Sequence, residues 1–125
     1  MMKEVWLESA REDLLRAKKK FDIGDFKGTC INARISATKS IYSALSNCDN
    51  SKYIDDLEAL YSKIIAVIGE DKEIAEAVKF LSRFILYEDI VTPYIVDKWL
   101  GLPTQQEAER AIHYAEALLD KFRVK

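Results

Sequence analysis

The stretch from Gly24 to Leu45, GDFKGTCINARISATKSIYSAL, decides the fold, because its apolar residues repeat at helical spacing along two faces. One face carries Phe26, Cys30, Ala33, Ala37, Ile41 and Ala44, and the other carries Ile31, Ile35, Tyr42 and Leu45. A helix with two apolar faces has neighbours on two sides. The stretch therefore predicts the central helix of a helical bundle.

A helical hairpin is predicted from the segment that precedes this stretch. Residues 3–22 carry one apolar stripe at helical spacing, made of Trp6, Ala10, Leu14, Ala17 and Phe21. Gly24 suits the left-handed position just after a helix, and the Asp25 carboxylate can accept hydrogen bonds from the free amides that open the next helix. A turn this short makes the two helices antiparallel neighbours.

Three further helices are predicted downstream. The third has Ile54, Leu57, Tyr61, Ile64 and Ile68 facing the core and ends at Gly69. The fourth begins near Asp71 and runs towards Val91, since the residue before Pro93 is disfavoured in helical geometry. The last begins with a capping box formed by Thr104 and Glu107. Its buried face consists of Ala108, Ala111, Ile112, Ala115, Leu119 and Phe122.

The segment between the last two helices, TPYIVDKWLGLP at residues 92–103, is predicted to cross the end of the bundle and to cover it with Tyr94 and Trp99. Strand-like alternation of useful length is absent from the sequence. We therefore expect one all-α domain, residues 1–125, folded as an antiparallel up-and-down bundle of four to five helices.

Composition excludes several classes of protein. The 125 residues are 49% apolar and carry a net charge of −2, so no overall basic field points to nucleic acid. The sequence has no recognisable signal peptide and no apolar run long enough to span a bilayer, which predicts a cytoplasmic protein without membrane contact. One histidine, His113, and two isolated cysteines, Cys30 and Cys48, do not make a standard zinc site. No metal and no cofactor is expected.

Arg34 lies in the middle of the widest apolar face of the central helix. A buried guanidinium needs a carboxylate from a neighbouring helix, a route to the rim of the bundle, or an anion that enters a groove. The candidate carboxylates are Asp13, Asp55, Asp56 and Glu58. The candidate residues for binding a nucleotide or another anion are Arg34, Lys39 and Arg83, and no residue is predicted to be catalytic.

The polar face of the central helix is made of small residues where Glu and Lys would be expected on a solvated surface. It carries Gly28, Asn32, Ser36, Ser40 and Ser43. Small side chains allow another backbone to approach closely. We therefore predict that Gly28, Asn32, Ser36 and Ser43 lie against another helix, either of the same chain or of a second copy.

Several segments together resemble the HEPN family, whose members are small all-α domains. ESAREDLLRAKKKFDIGDF is similar to the family's first helix, with Ala10, Asp13, Leu14 and Ala17 followed by a Gly-Asp-aromatic turn. NARISATKSIYSAL is similar to the second helix, in which Lys39 matches the Lys of a Glu-Lys pair. YIDDLEALYSKI, FLSRF and EAERAIHYAEALLDKF are similar to the later portions, in the same order and spacing.

The resemblance implies two kinds of activity. Many members are metal-independent ribonucleases that carry an Arg, four to six further residues and then a His, and two copies meet in a homodimer. In this sequence Arg110 and His113 have two residues between them, so that motif is absent. Other members act beside a separate minimal nucleotidyltransferase, in toxin–antitoxin or nucleotide-modifying pairs.

Three hypotheses follow. The first is a non-catalytic HEPN-like binding module, a homodimer that works with a minimal nucleotidyltransferase partner and holds a nucleotide or RNA near Arg34 and Lys39. The second is a divergent ribonuclease that uses His113 with Arg83 or Arg110, because an imidazole exchanges protons near neutral pH. The third is a helical scaffold that has no small-molecule site.

Overall fold

The computed structural model of the chain describes residues 2–45, 57–84 and 103–123, and every regular element in them is an α-helix. The helices are α1 (Met2–Asp22), α2 (Phe26–Ala44), α3 (Leu57–Ile68), α4 (Lys72–Leu81) and α5 (Gln105–Arg123). The all-α prediction is confirmed. The predicted loop at Cys48, the start of the third helix at Ile54, and the crossover with Tyr94 and Trp99 lie outside the described residues.

The hairpin of α1 and α2 turns as its sequence predicts. Gly24 has a φ of +82°, a left-handed conformation that glycine adopts without a side-chain clash. The Asp25 carboxylate accepts a 2.9 Å hydrogen bond from the Gly28 N–H and so caps α2. At the other end of the hairpin the Trp6 and Tyr42 rings stack with centroids 4.9 Å apart. The two helices are therefore antiparallel along their whole length.

The central position of α2 is confirmed. It contacts α1, α3, α4 and α5, and twelve of its nineteen residues are buried. The first predicted stripe supplies the fully buried Cys30, Ala33, Ala37 and Ile41, and the second supplies the buried Tyr42 and Leu45. α2 is therefore the helix against which the other helices pack, and the burial of its apolar residues contributes to the stability of the fold.

The neighbouring helices meet α2 through alanines. Ala10 and Ala17 of α1 and Ala108, Ala111 and Ala115 of α5 are all 0% exposed. Larger side chains are also buried in the core, among them Leu60 of α3 and Leu118 of α5. The apolar stripes predicted from the sequence omit these two leucines. The alanine contacts bring the backbones of α1, α2 and α5 close together, which fixes the geometry of the hairpin against α5.

The fourth helix is shorter than predicted. α4 ends at Leu81, and the backbone N–H groups of residues 83 and 84 donate to carbonyls three residues back, at 3.3 and 3.1 Å. The Ser82 hydroxyl donates to the Val78 carbonyl at 2.7 Å, a local bond that competes with a continuing helix. The predicted continuation through residues 82–84 is wrong, and Val91 lies outside the described residues.

Both ends of α5 are tied to α4. The capping box is confirmed, since the Thr104 N–H donates to Glu107 at 3.0 Å and the Glu107 N–H donates to Thr104 Oγ1 at 3.1 Å. Arg83 then reaches the same Glu107 carboxylate at 2.7 Å. At the opposite end Lys121 Nζ lies 3.0 Å from Asp71, the N-cap of α4. The two helices are therefore antiparallel.

Asp71 is expected to make the stability of the fold depend on pH in the acid range. Hydrogen bonds from Lys121 and from the Ile74 N–H hold the pKa of Asp71 below its ordinary 3.8. A carboxyl with a lowered folded pKa contributes stability above its unfolded pKa, and this contribution disappears as pH falls through the folded value. Asp71→Ala should lower the free energy of unfolding by about 1 kcal/mol at pH 7, the usual loss for a helix cap.

The measurement is urea unfolding at a series of pH values. The difference between wild type and Asp71→Ala should shrink as pH falls below about 4, because the wild-type carboxyl becomes protonated there. Asp22→Ala is the matched control, since Asp22 is exposed at the end of α1 and its replacement should change the free energy of unfolding at pH 7 by less than about 0.5 kcal/mol. A constant difference down to a pH of about 2 contradicts the proposed contribution of Asp71.

Candidate functional site

Arg34 lies inside the bundle and not in an open groove. It is 3% exposed, and its backbone carbonyl accepts a 2.9 Å hydrogen bond from the Thr38 hydroxyl on the next turn of α2. Two of the candidate carboxylates, Asp55 and Asp56, lie outside the described residues, and Glu58 is exposed on α3. A guanidinium this deep in the core is out of reach of a dissolved nucleotide unless the bundle opens.

Lys39 is held by α1 of the same chain. Its Nζ lies 2.6 Å from Asp13 Oδ2 and donates a 2.8 Å hydrogen bond to Ser9 Oγ. Asp13 is 4% exposed, and its other oxygen accepts a 2.8 Å hydrogen bond from Arg16. The Asp13 carboxylate therefore neutralises Lys39, a buried charge pair of the kind that requires both partners. Lys39 serves the packing of the hairpin.

Arg83 lies just beyond the end of α4. Its guanidinium contacts Glu107 at 2.7 Å, and the hydrogen bonds from the Thr104 N–H and from Arg83 hold the pKa of Glu107 below its ordinary value. Lys39 and Arg34 are five positions apart on α2, so they point to different sides of that helix. Of the three predicted anion-binding residues, Lys39 is held by a carboxylate of α1 and Arg83 by a carboxylate of α5.

The small residues of α2 are packed inside the chain. Ser36 is 0% exposed and donates a 2.7 Å hydrogen bond to the Ala10 carbonyl of α1, so α1 is the helix that covers it. Ser43 is 1% exposed and Asn32 is 8% exposed, and neither is open to a second copy of the chain. Gly28 is half-buried, where an added Cβ would meet the Asp25 carboxylate.

His113 lies on the exposed side of α5. It lines an open groove of about 490 Å³ with Glu73, Glu116, Ala117, Asp120 and Lys121. Of the two arginines suggested as its partners, Arg83 contacts Glu107, and the Arg110 guanidinium lies over the ring of Phe80. Neither arginine makes a hydrogen bond to His113 within the described residues.

The described cysteine is not a nucleophile. Cys30 is 0% exposed, and burial, followed by the negative charge of Glu107, raises the pKa of its thiol to about 12. A thiol with that pKa is protonated near neutral pH, and only the thiolate attacks. The part of the chain that the structure describes also holds no group of three His, Cys, Asp or Glu side chains placed to bind a metal ion.

The surface between α4 and α5 carries a cluster of rings and guanidinium groups, which we name the aromatic–arginine cluster. Its members are Phe80, Arg83, Phe84, Arg110 and Tyr114. Phe80 is the hub, with the Cζ atoms of Arg110 and Arg83 at 4.5 and 5.1 Å from its ring centroid. The Tyr114 and Phe84 centroids lie 5.3 and 5.4 Å from it.

The aromatic–arginine cluster combines a buried aromatic ring with exposed guanidinium groups. Phe80 is 6% exposed, whereas Arg110 is exposed and the Arg83 side chain is 54% exposed. Cation–π contacts of this kind hold a guanidinium in place without neutralising its charge. Aromatic residues and arginine are also the residues most enriched at the energetic centres of protein–protein interfaces. This surface is the candidate interaction site of the described chain.

The sequence indicates only part of this cluster, namely Arg83 as an anion-binding candidate and Arg110 as a partner for His113. The signal was present in the spacing. Arg110 and Tyr114 are four residues apart and share one face of α5, and Phe80 and Phe84 have the same spacing at the end of α4 and just beyond it. The spacing could not predict the register of α4 against α5, which brings the two pairs together.

Within the described residues no helix is both long and apolar enough to cross a membrane. The fold and the candidate site define an all-α helical-hairpin domain with an aromatic and basic surface patch. The chain belongs to the HEPN family, because the family model described as the HEPN domain matches residues 3–125. A comparison with curated proteins finds no match.

Three solved structures share the fold over almost the whole chain. TT1696 from Thermus thermophilus is 21% identical, with a TM-score of 0.79 over 97% of this chain and 95% of that chain. An HEPN domain protein from Thermotoga maritima is 15% identical, with a TM-score of 0.72 over 94% and 93%. ST0689, an archaeal HEPN homologue, is 18% identical, with a TM-score of 0.74 over 97% and 94%. At these identities the likeness concerns the fold alone.

Proposed function

We propose that the chain is a non-catalytic HEPN interaction module that acts with a nucleotidyltransferase-type partner protein through the aromatic–arginine cluster. The observation that carries this proposal is the pair of exposed guanidinium groups held on the buried ring of Phe80. A rigid aromatic base with arginine at its surface loses little conformational entropy when a partner docks. It is a surface suited to protein recognition.

The state of the predicted anion-binding residues also favours a protein ligand over a nucleotide. Lys39 is paired with Asp13, and Arg83 is paired with Glu107. A nucleotide would have to displace these carboxylates, and breaking a buried pair such as Lys39–Asp13 is costly. In a toxin–antitoxin or nucleotide-modifying pair, the partner protein and not this chain would therefore bind the nucleotide.

The first test is whether a neighbouring gene encodes a nucleotidyltransferase, and the second is co-expression of that protein with this chain. Size-exclusion chromatography with light scattering should give one complex of defined stoichiometry, and the same measurement on the free chain reports whether it is a homodimer. The variant Phe84→Ser should weaken the complex, whereas Val67→Ser, an exposed apolar residue of α3, should not. Two separately eluting proteins, or the absence of such a neighbouring gene, contradict the proposal.

The chain is expected not to hydrolyse RNA. The ribonuclease hypothesis requires His113 as a proton donor or acceptor, so His113→Ala should abolish any genuine activity. We expect the wild type and His113→Ala to leave a labelled single-stranded RNA equally intact over hours, with both proteins giving the same circular dichroism spectrum. Cleavage by the wild type that disappears in the folded variant would establish the divergent ribonuclease instead.

A further inference from the structure

We propose that Arg110 is a carboxylate-binding site, at which an Asp or Glu side chain of the partner protein docks on the aromatic–arginine cluster. The inference rests on the proposed function, because its ligand is part of a partner protein. It specifies the contact that forms, in which one acidic side chain of the partner binds the guanidinium group of Arg110. The contacts around Arg110 carry the proposal.

Arg110 is held in position but keeps its charge. Its Cζ atom lies 4.5 Å from the Phe80 centroid and 5.8 Å from the Tyr114 centroid, and its Nη2 contacts the Tyr114 hydroxyl at 3.5 Å. Within the described residues, no carboxylate lies at ion-pair distance from this guanidinium. Aromatic rings and a phenol hydroxyl orient the guanidinium without neutralising its charge. Because the side chain is already ordered, it loses less conformational entropy when it binds a carboxylate.

The two arginines of the cluster differ in this respect. Arg83 shares the Phe80 ring with Arg110 but is neutralised by Glu107 at 2.7 Å. Glu107 is itself fixed by the Thr104 N–H, so it is not free to turn towards Arg110. Among the described residues, the cluster therefore offers one guanidinium that has no acidic partner, beside rings and the Arg83–Glu107 ion pair.

One such guanidinium favours a protein over a nucleic acid. Binding to a phosphate backbone depends on several cations that together release condensed counterions. Here the second arginine is already paired, and the whole chain carries a net charge of −2. A single carboxylate, by contrast, needs only one planar guanidinium and gains from apolar neighbours that exclude water. The half-buried rings of Phe84 and Tyr114 supply those neighbours.

The first test uses the free chain without any partner. The Nε–Hε signals of the arginine side chains are followed by ¹⁵N NMR while poly-L-glutamate is added, and Arg110→Gln identifies the Arg110 signal by its loss. We expect this signal to shift more than those of Arg11 and Arg123, whose guanidinium groups already contact Glu8 and Asp120. A shift no larger than theirs contradicts the proposal.

An oligouridylate of equal total charge, at the same ionic strength, is the competing probe. A larger shift of Arg110 with RNA than with poly-L-glutamate would assign the site to phosphate and overturn the carboxylate proposal. A thermal unfolding curve of Arg110→Gln that matches the wild type ensures that the lost signal reports the side chain and not a change of fold.

The second test uses the complex with the nucleotidyltransferase-type partner and calorimetric titration. Arg110→Gln should raise Kd about tenfold, the loss typical of a hydrogen bond to a charged group. Arg110→Lys should recover only part of the affinity, because an ammonium lacks the planar fork. Arg11→Gln, an exposed arginine on α1, should leave Kd unchanged.

The outcomes separate this inference from the proposed function. A complex whose Kd is the same with Arg110 and with Arg110→Gln contradicts the carboxylate site and leaves the interaction module standing. If no complex forms, the proposed function is contradicted, and the response of Arg110 to poly-L-glutamate alone then decides whether it accepts carboxylates. A titration in which the chain binds a second copy of itself through Arg110 would replace the partner by a homodimer and contradict the proposal as stated.

Discussion

Replacing Ser36 with Trp is expected to lower the free energy of unfolding by about 3 kcal/mol. Ser36 is 0% exposed at the contact of α1 with α2, and its hydroxyl donates to the Ala10 carbonyl at 2.7 Å. Overpacking a close helix contact costs about 1–3 kcal/mol, and the lost hydrogen bond adds about 1 kcal/mol. Because α1 and α2 form the hairpin on which α5 packs, the damage should spread to the whole bundle.

Two control variants separate the effect of the larger side chain from the loss of the Ser36–Ala10 hydrogen bond. Ser36→Ala removes the hydroxyl alone and should cost about 1 kcal/mol. Ser62→Trp places the same indole on the exposed side of α3, where it should change the free energy of unfolding by less than about 0.5 kcal/mol. Urea unfolding followed by circular dichroism measures all three. A Ser36→Trp protein with wild-type stability would mean that α1 does not cover this position in solution.

The hairpin and the helix ends could be predicted because their chemistry is local. The turn at Gly24, the Asp25 cap and the capping box of Thr104 and Glu107 each depend on residues within a few positions of one another. The apolar stripes are equally local, since a period of about 3.6 residues defines a face without any knowledge of the neighbour. The end of α4 at Leu81 was missed because the apolar pattern continues past it, whereas the backbone changes to hydrogen bonds that span three residues at positions 83 and 84.

The pairing of charges was less predictable, because it depends on register between helices. The sequence offers four carboxylates as partners for Arg34, and the structure shows that one of them, Asp13, contacts Lys39 and Arg16. The contact between Asp13 and Lys39 depends on the packed register of α1 against α2, which the spacing within one helix does not give. The aromatic–arginine cluster also depends on register, since residues 80–84, at the end of α4 and just beyond it, meet residues of α5 that lie at least 26 positions later in the sequence.

Replacing Phe80 with Ala is the second change with a large expected effect, a loss of about 3–5 kcal/mol in the free energy of unfolding. Phe80 is 6% exposed and packs against Phe84 and Tyr114, and removing a buried ring leaves a cavity between α4 and α5. The guanidinium of Arg110 also loses the ring that it lies over. The variant should therefore lose both stability and the fixed orientation of the candidate site.

Phe80→Leu separates these two losses. Leucine keeps an apolar side chain between α4 and α5, so this variant should lose only about 1.5 kcal/mol of stability, yet it has no ring to hold a cation. Its Arg110 Nε–Hε signal should move towards the position of a solvated arginine, while Val67→Ala, which truncates a side chain that is 54% exposed, should change neither stability nor this signal. An unchanged Arg110 signal in folded Phe80→Leu would mean that the ring does not position the guanidinium, and the surface between α4 and α5 would then be an ordinary solvated face.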